Sequence, residues 1–301
     1  MHSKFITIIK YSNTLSFKML SLFWAIIFIY SILIAGHCLF GIIGLIFISI
    51  LAFIINISKY YSDYIFLVKS NKKSSAQQNE NKIFRPLIFG IISSHYIYSI
   101  ITISTFFLLA LGIFLYFKCG KGIVNIIIAG TILSSLIIFR QKIKYSELLP
   151  SLFYVPLLFY TTYFVMTKTL TFDVILLSIP YVFLSTSILY VKSINDYNID
   201  SIDKRQTIAN SFNSQLDSLI VFKWILILAY ITPLFLCAFD ILDWQILLIY
   251  CTIPTSINIY NTMQKVASEK HSDYKPIIQK TQKLIIIYVI ISIIAIFLST
   301  N

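Results

Sequence analysis

Long apolar segments alternate with short polar connections along almost the whole chain. Each apolar segment holds about 20 residues, the length that an α-helix needs to cross the hydrocarbon core of a bilayer. Because the apolar positions are continuous and do not alternate with polar ones, the pattern excludes a transmembrane β-barrel. Nine segments can be placed, at 18–36, 38–57, 93–117, 121–139, 151–168, 171–191, 218–238, 244–261 and 283–300. The sequence therefore predicts an all-α polytopic membrane protein, with nine transmembrane helices in one bundle and a single domain over residues 1–301.

The composition supports a membrane protein. Hydrophobic residues make up 58% of the chain, charged residues only 12%, and the mean hydropathy is +0.84. A soluble domain cannot bury so much apolar surface. Pro156 in the fifth segment and Pro254 in the eighth predict kinks. His95 and all four cysteines, which are Cys38, Cys119, Cys237 and Cys251, lie in or beside apolar segments, and we expect them to be buried.

The basic residues are distributed unevenly between the two ends of the predicted bundle. Of the 24 lysines and arginines, all but Lys118, Lys121 and Lys168 fall on one side of the nine segments. Basic residues mark the cytoplasmic side, so the N-terminus is predicted in the cytoplasm and the C-terminus outside. The net charge of +12 thus reflects membrane orientation, and we expect no nucleic acid partner. Scarce glycine with abundant isoleucine, lysine and asparagine is typical of an AT-rich bacterial genome, which places the protein in a bacterial plasma membrane.

Acidic residues cluster directly after the sixth segment. Asp196, Asp200 and Asp203 are three of only twelve acidic residues in the chain, at spacings of four and three. On a helix these spacings place the carboxylates on one face, about 5–6 Å apart at their Cβ atoms. Since Mg²⁺ binds through one or two carboxylates together with substrate phosphates, one interpretation is a Mg²⁺-diphosphate site at the mouth of the bundle. The alternative is a solvated loop in which Asp200 pairs with Lys204.

Two further connections on the same predicted side carry polar and basic residues. The second-to-third connection contains Asn56, Lys59, Asp63 and Arg85, and the fourth-to-fifth contains Lys142 and Lys144. Ionisable groups at this depth usually face a cavity, and cations there neutralise the oxygens of a departing diphosphate. The apolar helices would then hold a long hydrocarbon tail. Attraction of the lysines to anionic lipid is the alternative explanation.

The stretch Asp196-Tyr-Asn-Ile-Asp200 is followed, seven residues after its second aspartate, by Thr207-Ile-Ala209. This arrangement resembles the second Asp-rich motif and the Thr-Leu-Ala tail of the UbiA superfamily of intramembrane prenyltransferases. The branch that it resembles most prenylates 1,4-dihydroxy-2-naphthoate in menaquinone biosynthesis. Other stretches similar to that branch are Arg85-Pro-Leu, Gly90-Ile-Ile-Ser93, and Lys144-Tyr145 with Glu147.

The resemblance implies a UbiA-like transferase in which two Asp-rich motifs bind a Mg²⁺-prenyl diphosphate and an aromatic acceptor is prenylated. Asp63, Asp196 and Asp200 would be the catalytic residues and the Mg²⁺ ligands. The substrate-binding residues predicted with them are Asn56, Lys59, Arg85, Lys142, Lys144 and Lys204. The implied partners are a polyprenyl diphosphate, a small aromatic acceptor resembling dihydroxynaphthoate or hydroxybenzoate, and the lipid bilayer.

The first Asp-rich motif departs from the pattern of the family. Asn-Asp-x-x-Asp-x-x-x-Asp aligns with Lys59, Tyr60, Asp63 and Leu67, so only the middle aspartate matches. Lys59 cannot ligate Mg²⁺ while protonated, but its ammonium can contact a diphosphate directly. Two alternatives therefore stand beside the enzyme: a non-catalytic UbiA-like protein that binds lipid or a partner, and a transporter, for which paired broken helices would be the sign.

Overall fold

The computed structural model describes residues 17–35, 39–69, 93–138, 148–202, 207–268 and 274–299. In these ranges every regular element is a helix. The α-helices are α1 (Phe17–Ala35), α2 (Leu39–Lys69), α3 (Ser94–Cys119), α4 (Gly122–Ile138), α5 (Leu149–Thr167), α6 (Asp173–Asn195), α7 (Tyr197–Ile202), α8 (Gln215–Ala238), α9 (Ile253–Ser268) and α10 (Lys275–Ser299). Two 3₁₀-helices, Ala209–Ser211 and Trp244–Thr252, precede α8 and α9. The all-α prediction is confirmed for the described part of the chain.

Six of the described helices are long and apolar enough to cross a membrane. The candidate spans are Gly41–Ser58 within α2 and the full lengths of α3, α5, α6, α8 and α10. Two further apolar stretches, Ser21–Ile34 and Gly122–Ile132, are shorter. Helical residues thus occupy all nine predicted segments, but the number of spans is not confirmed, because six of the described helices meet the requirement for length and hydropathy.

Helix α2 is longer than the apolar segment that predicted it. The predicted segment ends at residue 57, whereas α2 continues to Lys69, which is about three more turns. Residues 58–69 contain neither glycine nor proline, so nothing in the sequence stops the helix at the end of the apolar run. Lys59 and Asp63, expected in a connection between helices, therefore lie on α2 itself.

The eighth predicted segment changes its geometry next to Pro254. Residues Trp244–Thr252 form a 3₁₀-helix and α9 begins at Ile253. Proline is well tolerated in the first turn of an α-helix, where its missing N–H has no partner to lose. The irregularity predicted at Pro254 is therefore a change from 3₁₀ to α geometry, whereas Pro156 lies inside α5 without ending it.

Helix α6 is the centre of the bundle. Protein buries 78% of its span and 72% of the span of α5, compared with 11% for α3. Neighbouring helices α5, α8 and α10 pack against α6. The hydroxyls of Ser151 on α5 and Thr186 on α6 lie 2.6 Å apart and form a buried hydrogen bond. Helix α6 is consequently held by several neighbouring helices.

Buried tyrosines connect the central helices. The ring of Tyr181 on α6 stacks on Phe159 of α5 at 5.3 Å and meets Tyr288 of α10 edge-on at 6.0 Å. Tyr288 also contacts the ring of Tyr230 on α8 at 5.8 Å and donates a hydrogen bond of 2.9 Å to the carbonyl of Ala229. A buried tyrosine needs a partner for its hydroxyl, and these bonds fix how the helices sit against one another.

Apolar side chains also cover much of the outside of the bundle. On α3, Ile103, Phe106 and Phe117 expose 69%, 75% and 78% of their surface. Soluble monomers rarely expose contiguous apolar patches of this kind. The described surface is therefore compatible with contact to lipid.

Two side chains that we expected to be buried are exposed. They are His95, near the start of α3, and Cys251, in the 3₁₀-helix before α9. Cys119 and Cys237 are buried as expected, and Cys38 lies outside the described residues. The expectation for His95 was wrong because α3 is itself mostly exposed, so a position on an apolar helix did not imply contact with protein.

The packing of α4 on α5 leaves no room for a side chain at Gly122. A Cβ atom there would lie 2.6 Å from Cε2 of Phe164, whose ring is only 3% exposed. We expect Gly122→Ala to lower the free energy of unfolding by about 1–3 kcal/mol, measured by thermal unfolding of the detergent-purified protein. Gly44→Ala is the matched control, because its nearest neighbour is Cα of Thr162 at 3.7 Å, an ordinary contact. Equal losses in the two variants would contradict this explanation.

Candidate functional site

The residues predicted for the site fall into three groups. Asn56, Asp196 and Asp200 are described together with their side chains, and the backbone places Lys59 and Asp63 on α2. The other predicted residues, Arg85, Lys142, Lys144, Asp203 and Lys204, lie outside the described residues. The geometry of the site therefore has to be built from the junction between α6 and α7.

Asp196 and Asp200 lie one helical turn apart at this junction. The N–H of Asp196 donates to the carbonyl of Lys192 at 3.0 Å, and the N–H of Asp200 donates to the carbonyl of Asp196 at 2.8 Å. Both are i to i−4 bonds: the first closes the last turn of α6 and the second opens α7, while Asp196, with φ −90° and ψ 3°, separates the two helices. The spacing of four residues consequently brings the two carboxylates onto one face, as the sequence predicts for a helix.

The two carboxylates have different surroundings. Asp200 is buried, with 6% of its surface exposed, whereas Asp196 is exposed and accepts a hydrogen bond of 2.7 Å from Nδ2 of Asn195. The nearby ammonium of Lys192 attracts the Asp196 carboxylate. A buried carboxylate is rare unless it is paired or binds a cation. The pair thus reaches from the surface into the protein at the end of its most buried helix.

Two tyrosines fix the rotation of this helix about its axis. Tyr190 on α6 donates to the carbonyl of Ser218 at 2.8 Å, and Tyr197 on α7 donates to the carbonyl of Phe212 at 2.9 Å. The tyrosines are seven residues apart, one near the end of α6 and one at the start of α7, and so lie on one side of the α6–α7 segment. Asp196 and Asp200 occupy the neighbouring stripe. These bonds hold the helical segment against the first turn of α8 and against the residues that precede it, which sets the direction of the carboxylate face.

A further contact joins the junction to the start of α10. Nε2 of Gln215 donates to the carbonyl of Ile194 at 3.3 Å, and the hydroxyl of Tyr274 donates to Oε1 of Gln215 at 3.3 Å. The sequence analysis did not identify these anchoring residues. In the sequence, the role of Tyr190 and Tyr197 was indicated only by their spacing of seven residues. The residues that they bond, Ser218 and Phe212, lie 28 and 15 residues farther along the chain.

Helix α2 carries the remaining part of the predicted site. Asn56 is 8% exposed and therefore buried, at the end of the candidate span of α2. Lys59 and Asp63 follow at spacings of three and four, so the backbone places all three positions on one stripe. The predicted first motif is thus a stripe on a continuous helix.

The acidic pair can be tested for its fit to Mg²⁺. In the described ranges no three His, Cys, Asp or Glu side chains come together in a group that could hold a metal ion. Mg²⁺, however, is commonly held by one or two carboxylates, with substrate phosphates and water completing its octahedron. Asp196 and Asp200 fit that arrangement, provided that the substrate brings phosphates.

No family model matches the chain, and no curated protein matches it either.

Proposed function

We propose that this protein is an integral-membrane prenyltransferase that moves a polyprenyl group from an allylic diphosphate to an aromatic acceptor. The observation that carries the proposal is the pair Asp196 and Asp200, one turn apart at the end of the most buried apolar helix. The resemblance of this pair to the second UbiA motif supports the same chemistry.

The exposed apolar surface and the six long apolar helices support membrane insertion. We place the protein in a bacterial plasma membrane with its N-terminus in the cytoplasm and its C-terminus outside, following the distribution of lysine and arginine. In this orientation the acidic pair lies at the cytoplasmic face, where soluble diphosphates are available. The nine-helix UbiA-like bundle of the sequence analysis remains part of the proposal.

The proposed reaction divides the substrate between two environments. The diphosphate binds at the α6–α7 junction, and the apolar helices provide a surface for the prenyl chain. The bond between C1 of the prenyl group and the diphosphate oxygen breaks, and the diphosphate leaves with the electron pair. A carbon of the electron-rich aromatic ring then forms the new C–C bond, and the ring releases a proton to water.

The chain supplies groups for each part of this reaction. Asp196 and Asp200, with Asp63 from α2, would hold Mg²⁺, which when bound supplies positive charge to the departing diphosphate. Asn56, Lys59, Arg85, Lys142, Lys144 and Lys204 are the proposed substrate-binding residues. Basic groups among them contact the leaving group or the carboxylate of an acceptor resembling dihydroxynaphthoate or hydroxybenzoate.

A prenyl-transfer assay tests the proposal. Purified protein is incubated with labelled allylic diphosphates of several chain lengths and with dihydroxynaphthoate or hydroxybenzoate. We expect labelled lipid product with Mg²⁺ and a loss of product when EDTA removes the metal, because the acidic pair alone repels the diphosphate. Absence of product from folded protein with every pair of substrates would instead favour the non-catalytic lipid- or partner-binding protein.

A further inference from the structure

The hydroxyl of Ser193 is buried and has no hydrogen-bond partner. Ser193 is the third residue from the end of α6, and only 6% of its surface is exposed. Among the described residues, its Oγ atom is one of the few buried side-chain polar atoms that form no hydrogen bond. An unsatisfied buried hydroxyl destabilises a protein by about 1–3 kcal/mol. Such an atom therefore needs an explanation.

Other serines on the same helix satisfy their hydroxyls locally. Ser178, Ser185 and Ser187 each donate to the carbonyl three residues earlier, at 2.6, 2.9 and 2.7 Å. This local bond is the usual solution for a serine inside a helix. The carbonyl of Tyr190 stands in the same relation to Ser193, yet the bond is not made. The hydrogen-bonding capacity of the Ser193 hydroxyl is consequently unused within the described residues.

The position of Ser193 relates it to the acidic pair. It precedes Asp196 by three residues and Asp200 by seven, so the three residues lie in successive turns on one side of the α6–α7 segment, here called the stripe. The bond from Asp196 to Lys192 closes the last turn of α6, and the bond from Asp200 to Asp196 opens α7. The stripe covers about 10 Å along the helix axis, which is two turns.

The two carboxylates of the stripe cannot donate a hydrogen bond to a phosphate. Ionised carboxylates only accept hydrogen bonds, and phosphate oxygens are also acceptors. A serine hydroxyl donates one hydrogen bond, and bonds to charged acceptors are stronger than those between neutral groups. Within the described stripe, Ser193 supplies the donor that Asp196 and Asp200 cannot supply.

We propose that Ser193 is a binding residue of the same site and donates a hydrogen bond to a phosphate oxygen of the diphosphate. This inference rests on the proposed function. The unsatisfied hydroxyl is then a group kept ready for substrate, and its bond forms when the diphosphate arrives. Ser193 binds and positions the leaving group, and it takes no part in bond breaking.

The test compares Ser193→Ala with Ser187→Ala in the full-length protein. Thermal unfolding in detergent is followed without ligand and during titration with farnesyl diphosphate in the presence of Mg²⁺. Ser193→Ala should keep or raise the Tm of the free protein, because no bond is lost. Its affinity for farnesyl diphosphate should fall about tenfold or more. Ser187→Ala loses an internal bond, so its Tm should fall while its affinity stays unchanged.

The outcomes separate the inference from the function on which it rests. Unchanged farnesyl diphosphate affinity in Ser193→Ala, or a fall in the Tm of the free protein like that of Ser187→Ala, overturns the role of Ser193. If farnesyl diphosphate does not stabilise even the unsubstituted protein, the proposed diphosphate site itself fails. Weaker affinity with an undiminished Tm is the result that supports the inference.

Discussion

Replacing Asp200 with asparagine should lower prenyl transfer by about 100- to 1,000-fold, the usual loss when one group that stabilises charge in a transition state is removed. Asparagine keeps the size of the side chain and one of its oxygens but removes the negative charge. Asp200 is buried, so water cannot readily take its place next to a cation. The measurement is kcat/KM for the allylic diphosphate at saturating acceptor and Mg²⁺, with thermal unfolding to show that the variant remains folded.

Asp240→Asn is the matched control for this prediction. Asp240 is exposed and follows α8 at the end away from Gln215, roughly 36 Å along the helix from the α6–α7 junction. Its φ of 55° lies in the left-handed region, which asparagine tolerates well. The control therefore removes one carboxylate without strain and should leave kcat/KM unchanged. A similar loss in both variants would reflect the net charge of the protein and would contradict a specific site.

Asp196→Asn separates the two members of the pair. Asp196 is exposed and already accepts a bond from Asn195, so water can partly replace its carboxylate. The fall in kcat/KM caused by Asp196→Asn should be smaller than the fall caused by Asp200→Asn. Raising the Mg²⁺ concentration should restore part of it. Full activity in both single variants would remove the α6–α7 junction from the proposed mechanism.

The periodicity of the sequence predicted the helices well because each long apolar run needs only its own residues to form a helix. It did not predict how far a helix continues past the apolar run, since α2 keeps its geometry through polar residues up to Lys69. The periodicity also did not predict which helices are buried. Helices α3 and α6 have similar hydropathies of 2.3 and 2.0, yet protein buries 11% of the span of α3 and 78% of the span of α6. Which apolar helix is central depends on packing between helices.

The acidic pair was predictable because its geometry is local. A spacing of four residues places Asp196 and Asp200 together on any helix, whatever surrounds it. The anchors of that helix are not local, since Tyr190 bonds a carbonyl 28 residues away and Tyr274 bonds Gln215 across 59 residues. The unsatisfied hydroxyl of Ser193 is likewise invisible in the sequence, where it resembles the other serines of α6. Sequence spacing thus predicted that the two aspartates lie one turn apart, and tertiary contacts determine the orientation of their face.

Restoring the first Asp-rich motif should strengthen Mg²⁺ binding. In the double variant Lys59→Asn, Tyr60→Asp, we expect the Mg²⁺ concentration for half-maximal prenyl transfer to fall about tenfold, because affinity for a hard cation rises with the number of charged oxygen ligands. Helix α2 is continuous over these positions, and position 60 lies three residues before Asp63. The backbone therefore places the new aspartate on the same stripe of the helix as Asp63. The loss of the Lys59 ammonium removes repulsion of the cation as well.

Ser62→Asp provides the control for the double variant. It adds a carboxylate to the same stretch of α2, but position 62 is two residues from position 60 and so lies on nearly the opposite side of the helix. Its half-maximal Mg²⁺ concentration should stay that of the unsubstituted protein. An equal shift in both variants would mean that added negative charge attracts Mg²⁺ to this whole end of the bundle. No shift in either would mean that α2 does not contribute to the metal site, leaving Asp196 and Asp200 to hold the cation with the substrate alone.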